Sequence, residues 1–301
     1  MSHPYIIGYK DYFERKPASK YQKGRRTLYI IMEYADGGDL SELIKRTYSP
    51  FPEQQIIAWL VQICLALKHI HDRKILHRDI KSENVMLTKD KRVKLGDFGI
   101  SKSLATTLAQ AVTRIGTPYY LSPEVCLGKP YDSKNDMWAL GVVLYEMCTR
   151  AHPFDARSME QLLEKIVKTP HAPIRGYSPQ LRQLCDSLLQ KDPRKRPSIH
   201  KVLTLPLIAP HIPRWMPQDI MREEFSHTVI HSDKLNGGRG GGGGGGLPIV
   251  LDHPPAVSGP GGRGVKVVVE VGSKVGKTHK RRKQHIDKDR GLGLVGGGGG
   301  G

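Results

Sequence analysis

The run from Ser133 to Cys148 is apolar almost all round, and this feature limits the fold more than any other. A helix without a polar face must be covered on every side, so the run predicts a helix at the centre of a domain. A second helix is predicted from Pro52 to about His71, where apolar residues recur at steps of three and four: Ile56, Leu60, Ile63, Leu67 and Ile70. The two patterns together predict a mainly helical body.

Shorter patterns surround these two helices. Residues 28–33 form an apolar strand-like run that ends in the turn-rich sequence 36–39, so we expect a strand followed by a hinge. Short strands are predicted at Val85–Leu87 and Arg92–Leu95. Ser158 and Gln161 form a capping-box pattern. A further core-facing helix is predicted from the stripe of Leu181, Leu184, Cys185, Leu188 and Leu189.

The net charge of +18 is spread along the chain. Residues 1–210 hold 33 basic and 21 acidic side chains, and residues 211–301 hold 14 and 8. A diffuse positive field suits an acidic partner or a phosphate-bearing ligand, but it does not indicate a protein that binds in a groove of a nucleic acid. No apolar run approaches the roughly 20 residues of a membrane-spanning helix, and no secretory signal follows Met1. We therefore expect no membrane partner and a cytosolic or nuclear protein.

The composition changes after about residue 232. Residues 237–246 are glycine except for Arg239, and a second glycine run ends the sequence. Such a segment loses much backbone entropy on folding and has little to bury, so residues 233–301 are predicted to be a disordered extension. The basic cluster 280–283 leaves nucleic-acid binding or nuclear import open for this tail, although a solvated charge run is the commoner outcome.

An ordered series of short motifs carries the chemistry. It comprises His-Arg-Asp-Ile-Lys-Ser-Glu-Asn at 77–84, Asp-Phe-Gly at 97–99, Gly-Thr-Pro-Tyr-Tyr-Leu-Ser-Pro-Glu at 116–124, Asp-Met-Trp at 136–138 and Arg-Pro at 196–197. Each motif alone could be a chance match, but the order and spacing resemble the protein kinase signature set. This resemblance implies an α+β protein-kinase-like fold. A mostly helical C-lobe is expected at 35–210, after a remnant of the N-lobe and hinge strand at 1–34 and before a post-domain segment at 211–232.

The resemblance also implies the roles of the site residues. Asp79 stands at the position of the catalytic base, and Lys81 matches the serine/threonine form of this loop. Asn84 and Asp97 would bind Mg²⁺, which bridges the phosphates of ATP. The nucleotide would contact Met32 as gatekeeper, backbone groups of Glu33 and Ala35 at the adenine, Asp39 near the ribose, and Lys81, Asn84 and Asp97 at the phosphates.

Further residues are assigned to the activation segment or to architecture. Arg78 is expected to bind a phosphorylated activation segment, with Thr113 the leading phosphosite ahead of Thr106 and Thr107; a plain surface threonine at 113 stays open. Thr117 indicates a serine or threonine acceptor. Glu124 and Arg196 are expected to form a buried ion pair, and Asp136 to hold the catalytic-loop backbone. His77 and Phe98 are assigned structural roles.

Residues 3–205 most resemble the NIMA-related kinases, chiefly through the sequence 116–124. The resemblance implies a serine/threonine kinase that transfers the γ-phosphate of ATP to protein substrates. It implies a cytoplasmic location, with nuclear or cytoskeletal association also open, and it makes no prediction of oligomeric state. The family's glycine-rich loop, strand lysine and helix glutamate have no counterpart in these 301 residues. An incomplete gene model and a genuinely short form therefore both stay open. A pseudokinase-like scaffold, which binds partners through the C-lobe, is the alternative function.

Overall fold

The computed structural model describes residues 3–15, 27–96, 118–222, 224–225 and 271–272. The strands are β1 (Tyr9–Arg15), β2 (Thr27–Met32), β3 (Val85–Leu87), β4 (Val93–Leu95) and β5 (Val271–Gly272). The helices are α1 (Leu40–Arg46), α2 (Glu53–Asp72), α3 (Pro123–Cys126), α4 (Ser133–Thr149), α5 (Met159–Lys168), α6 (Pro179–Leu188), α7 (Ile199–Leu203) and α8 (Ile212–Trp215). Single 3₁₀ turns cover Ser82–Asn84, Pro193–Lys195 and Ala209–His211. Residues 218–222 and 224–225 are also helical.

The predicted central helix is α4, and it is buried from Asn135 to Cys148. A capping box begins the helix: Asp132 accepts from the backbone of Lys134, and Asn135 accepts from the backbone of Asp132. Helix α2 packs against α4, α7, α8 and β4, and α6 also packs against α4. The two long apolar helices therefore form the core that carries the loops of the site.

The strands β3 and β4 form an antiparallel hairpin in which Val85 pairs with Leu95 and Leu87 pairs with Val93. The segment before β1 joins the same hairpin, because Ile7 donates its backbone N–H to Leu95. The hinge turn lies on the other strand, where Gly37 donates to the carbonyl of Leu87 at 2.7 Å. The hinge is thereby fixed beside the strand that follows the catalytic loop.

Val271–Gly272 lie within the tail 233–301, whose predicted disorder stays a prediction. These two residues form β5, which pairs antiparallel with β2 through Thr27 to Gly272 and Leu28 to Val271. The pairing covers one edge of β2 at its first two residues. Valine is β-branched and favours strands, and the sequence 265–271 is rich in valine although glycine runs lie on both sides of it.

The chain divides into two compact units: residues 1–11 with 30–267, and residues 12–29 with 268–301. In the smaller unit, Phe13 stacks on Tyr29 with ring centroids 4.8 Å apart. The described site residues lie in the larger unit. No helix in the described ranges is both long enough and apolar enough to cross a membrane. The predicted domain boundaries at 34, 210 and 232 stay predictions.

Candidate active site

The catalytic loop follows α2 and is held by the carboxylate of Asp136, in the first turn of α4. Its Oδ2 accepts from the backbone N–H of His77 at 2.9 Å, and its Oδ1 accepts from that of Arg78 at 3.0 Å. Arg78 has φ +66°, a left-handed conformation that costs free energy in a residue other than glycine. The two hydrogen bonds therefore stabilise a loop conformation that the sequence alone would not favour.

Two side chains that the sequence did not indicate complete this anchor. His71 Nε2 lies 2.9 Å from Asp136 Oδ2, and the Tyr131 hydroxyl donates to Asp136 Oδ1 at 2.6 Å. Burial alone would raise the pKa of Asp136, but the hydrogen bonds from His71 and Tyr131 outweigh it and lower the pKa below its usual value. The buried carboxylate therefore stays charged and fixes the loop.

Asp79, Lys81 and Asn84 lie together in the catalytic loop. Asn84 Nδ2 donates to the backbone carbonyl of Asp79 at 2.7 Å and to its Oδ2 at 3.0 Å. Lys81 Nζ lies 3.5 Å from the same Oδ2. The Asp79 carboxylate is thus oriented by an amide and faces a cation. This arrangement suits a group that must accept a hydrogen bond from a substrate hydroxyl.

The Asn84 amide also presents an oxygen suited to a hard cation. Its nitrogen is turned toward Asp79 by the two hydrogen bonds, so Oδ1 is the atom left for a metal such as Mg²⁺. Gly96 donates its N–H to the Asn84 carbonyl at 3.0 Å, and the Gly96 carbonyl lies 3.0 Å from His77 Nε2. These contacts place the residue before Asp97 beside Asn84, which fits the predicted pair of metal ligands.

Several predicted site residues lie outside the described part of the chain. Asp97, Phe98, Thr113 and Thr117 fall within 97–117. Their roles, and the phosphate-binding role of exposed Arg78, stay predictions. Across the described ranges, no cluster of three or more His, Cys, Asp or Glu side chains could hold a metal ion.

The hinge presents backbone groups at the end of β2. The Glu33 N–H donates to Gly8 at 2.7 Å, and the Glu33 side chain bonds Lys94 Nζ at 2.6 Å. Within the described residues, no backbone hydrogen bond engages the carbonyl of Glu33 or the N–H of Ala35. An acceptor and a donor two residues apart fit the edge of an adenine ring. The half-buried Met32 directly precedes them.

Asp39 lies at the start of α1. Its carboxylate accepts from the backbone N–H of Glu42 at 2.8 Å, and it is therefore the N-cap of this helix. An isolated antiparallel bridge pairs Asp39 with Met86 of β3, and the Leu87 N–H donates to the Gly38 carbonyl at 2.8 Å, which joins the hinge turn to the hairpin. The cap and this bridge fix the position of Asp39, while its predicted contact with a ribose stays a prediction.

The predicted ion pair of Glu124 and Arg196 is present. Arg196 NH1 and NH2 each lie 2.6 Å from one carboxylate oxygen of Glu124, and the residues are 1% and 5% exposed. Asn135 Nδ2 donates to the same carboxylate at 2.6 Å. The guanidinium also donates to three backbone carbonyls and lies over a ring: Gln190, Lys134, Lys191 and Trp138. The pair joins the end of the activation segment to the loop before α7.

A second buried link connects the activation segment to the catalytic loop. The Tyr120 hydroxyl donates to Glu146 of α4 at 2.7 Å, accepts from the backbone N–H of Ser82 at 3.2 Å and lies 2.9 Å from Ser82 Oγ. Burial, followed by the charge of Glu146, raises the pKa of Tyr120, so the hydroxyl stays protonated. The motif at 116–124 contained Tyr120, but no sequence spacing indicated its partners.

Comparisons with known proteins agree with this geometry. The family model described as "Protein kinase domain" matches residues 1–208. The chain is 49% identical to human serine/threonine-protein kinase Nek5 over 76% of the chain and 32% of that protein. It is 49% identical to mouse Nek1 over 75% of the chain and 18% of that protein, and 45% identical to mouse Nek3 over 74% and 42%.

The chain spans less than half the length of each of these three relatives. The family-model match nevertheless covers more than half of the chain. The kinase motifs of the chain also lie in loops that the fold brings together. The expected resemblance to the NIMA-related kinases is confirmed by the Nek relatives. The chain therefore belongs to the protein kinase family.

Proposed function

We propose that the protein is a serine/threonine kinase that transfers the γ-phosphate of ATP to hydroxyl groups of protein substrates. The observation that carries the proposal is the orientation of the Asp79 carboxylate by Asn84 at 3.0 Å, with Lys81 Nζ at 3.5 Å. The printed names of the Nek relatives support the same activity and the same acceptor class. Nothing in the described site favours the scaffold alternative, since these three side chains are all present.

Phosphoryl transfer requires little covalent help from a protein, because the rate depends on positioning and on neutralising charge. Asp79 would accept a hydrogen bond from the substrate hydroxyl and orient its oxygen for attack on the phosphorus. Lys81, close to the same carboxylate, would stabilise negative charge on the transferred group. The work of these residues is therefore to hold the acceptor in line and to balance charge.

The residues also fit the cofactors that the family implies. Mg²⁺, when bound, would neutralise the charge of the nucleotide phosphates. Asn84 Oδ1 is the described oxygen that would hold it, with Asp97 as the predicted second ligand. The Glu33 carbonyl and the Ala35 N–H would bind the adenine edge of ATP. The cation would thus be held next to the β3–β4 hairpin, and the adenine would be held at the hinge.

A transfer assay tests the proposal. Protein isolated from native cells would be incubated with γ-labelled ATP, Mg²⁺ and peptides that differ only in a serine, threonine or tyrosine acceptor. We expect label on serine and threonine, and its loss when Mg²⁺ is chelated. Label on tyrosine alone would contradict the acceptor class. An absence of transfer, with a protein partner still bound, would favour the scaffold alternative.

The proposed location is the cytoplasm, with nuclear or cytoskeletal association open. The basic cluster 280–283 is the sequence feature that would direct nuclear import. Removal of residues 233–301 from a fluorescently tagged chain tests this role. An unchanged distribution would contradict import by this cluster.

A further inference from the structure

Four Ser–Pro or Thr–Pro steps occur in the described part of the chain, and their surroundings differ. Ser122 is 2% exposed and accepts from Asn135 Nδ2 at 2.5 Å. Ser178 caps α6 and donates to Glu53 Oε1 at 2.5 Å. Both hydroxyls are engaged in the fold, and a phosphate on either one would have to displace its partner. The other two steps begin at Ser49 and Thr169, and both of these residues are exposed.

Ser49 lies in a bend of the segment that joins α1 to α2. Its neighbour Tyr48 is 93% exposed. Within the described residues, no hydrogen bond engages the Ser49 hydroxyl. A protein kinase must draw its acceptor segment into an extended conformation, and an exposed connection gives way to this more easily than a helix or a capped turn. Ser49 is therefore accessible to another enzyme.

An arginine from a distant part of the chain contacts this segment. Arg150 ends α4 in a left-handed conformation, with φ +59°. Its NH1 donates to the carbonyl of Thr47 at 2.9 Å and to that of Tyr48 at 2.8 Å. The Tyr48 carbonyl carbon is bonded directly to the Ser49 nitrogen, so the guanidinium lies one peptide unit from Ser49. Its NH2 and Nε form no hydrogen bond with any residue that the structure describes.

The charged residues nearest before Ser49 in the sequence are two cations, Lys45 and Arg46. Glu53, four residues after Ser49, accepts hydrogen bonds from the backbone and the hydroxyl of Ser178. Lys45 and Arg46 are exposed, and Arg150 is the cation that contacts the segment directly. An arginine binds a phosphate through paired, charge-assisted hydrogen bonds. The segment is thus complementary to a phosphate and not merely accessible.

Thr169 lacks this complementarity. It is the C-cap of α5, where the helix dipole presents its negative end. The neighbouring Lys168 is already paired with Glu164 at 3.1 Å. A phosphate at a helix C-terminus is disfavoured by repulsion from the last carbonyls. Thr169 is therefore an exposed Thr–Pro step without a binding site for the product, which makes it the natural control.

We propose that Ser49 is a phosphorylation site of a proline-directed protein kinase and that Arg150 binds the resulting phosphate. In the reaction, the Ser49 oxygen bonds to the γ-phosphorus of ATP and the bond from that phosphorus to the bridging oxygen breaks. ADP leaves, and the hydroxyl proton passes to the modifying enzyme's base. This role as a substrate goes beyond the proposed kinase activity and does not depend on it.

The phosphate has a defined effect on the fold. It forms new hydrogen bonds to the Arg150 NH2 and Nε groups, which orders the connection between α1 and α2. Because α1 follows the hinge and α2 leads into the catalytic loop, the modification stiffens the link between these two parts of the site. The stabilisation is measurable as an increase in Tm of about 2 to 4 °C for a gain near 1 kcal/mol.

The test uses the 301-residue chain carrying Asp79→Asn, which removes its own proposed catalytic base. A purified mitogen-activated protein kinase with Mg²⁺ and ATP is the probe, and peptide mapping by mass spectrometry locates the phosphate. We expect phosphate on Ser49. It should be lost in Ser49→Ala and in Pro50→Ala and kept in Thr169→Ala.

The thermal readout tests the second half of the proposal. The Tm of phosphorylated and unphosphorylated chain is compared within each variant, so any effect of Arg150→Ala on the unmodified fold cancels. The upward shift should appear with Arg150 and disappear in Arg150→Ala. No phosphate on Ser49, labelling that survives Pro50→Ala, or an equal shift without Arg150 would each overturn the proposal.

Discussion

The Arg196→Ala variant should unfold at a much lower temperature than the wild-type domain. The substitution removes both bonds to Glu124 and the donors to three backbone carbonyls. Glu124 stays buried at 5% exposure, with the Asn135 amide as a remaining donor. Breaking a buried pair from one side costs about 3 to 5 kcal/mol. Since whole domains have about 5 to 15 kcal/mol of stability, this is a large fraction.

The expected decrease in Tm is about 6 to 20 °C, at roughly 2 to 4 °C per kcal/mol for a domain of this size. Guanidinium unfolding followed by circular dichroism gives the free energy directly. Arg194→Ala is the matched control. It removes the same charge two residues before Arg196, but the Arg194 side chain is 89% exposed.

The double variant Glu124→Gln with Arg196→Ala should lose less stability than Arg196→Ala alone, because no unpaired buried charge is left. A midpoint of Arg196→Ala equal to that of Arg194→Ala would refute the reasoning, since it would mean that the buried pair has no net coupling.

Three further perturbations follow from the described contacts. Burial, followed by the charge of His69, lowers the pKa of His3 to about 3, so only the unfolded chain binds this proton between about pH 6.5 and 3. The free energy of unfolding should therefore decrease as the pH is lowered through this window. The decrease should be smaller in His3→Asn, as measured by urea unfolding at pH 7 and pH 5. Tyr120→Phe should cost about 1 to 3 kcal/mol, because it removes the hydroxyl donor and leaves the buried Glu146 carboxylate with His152 Nδ1 at 2.6 Å. An unchanged unfolding midpoint would contradict the link. Gly37→Ala should lower Tm, because its Cβ would clash with the Thr88 carbonyl oxygen; an unchanged Tm would show that the turn can move.

The helical core was predictable because its signal is local. The all-round apolar run of α4 and the spaced stripe of α2 need no knowledge of partners, and both helices end within about one residue of the predicted positions. The positions of Asp79 and Asn84, and the pair of Glu124 and Arg196, came from the motif series. Their distances could not come from it, because a motif carries order and spacing only.

The missed contacts are long-range ones. Tyr120 and Glu146 are separated by 26 residues, and His71 and Asp136 by 65. No periodicity relates such pairs, and only the packing of α2 against α4 brings the second pair together. The strand β5 was missed for another reason. The glycine content favours disorder over the tail as a whole, while the valine-rich stretch before Gly272 favours a strand locally.

The decisive measurement is the kcat of the Asp79→Asn variant, expressed in and isolated from cells of the protein's own source, with a serine peptide as the acceptor. Asp186→Asn is the control, because it makes the same carboxylate-to-amide change on an exposed side chain of α6. If Asp79 positions and deprotonates the acceptor, its replacement should lower kcat by about 10²- to 10⁴-fold. ATP affinity and the activity of Asp186→Asn should stay near wild type. A kcat of Asp79→Asn within the range of the control would contradict the proposed chemistry of the site.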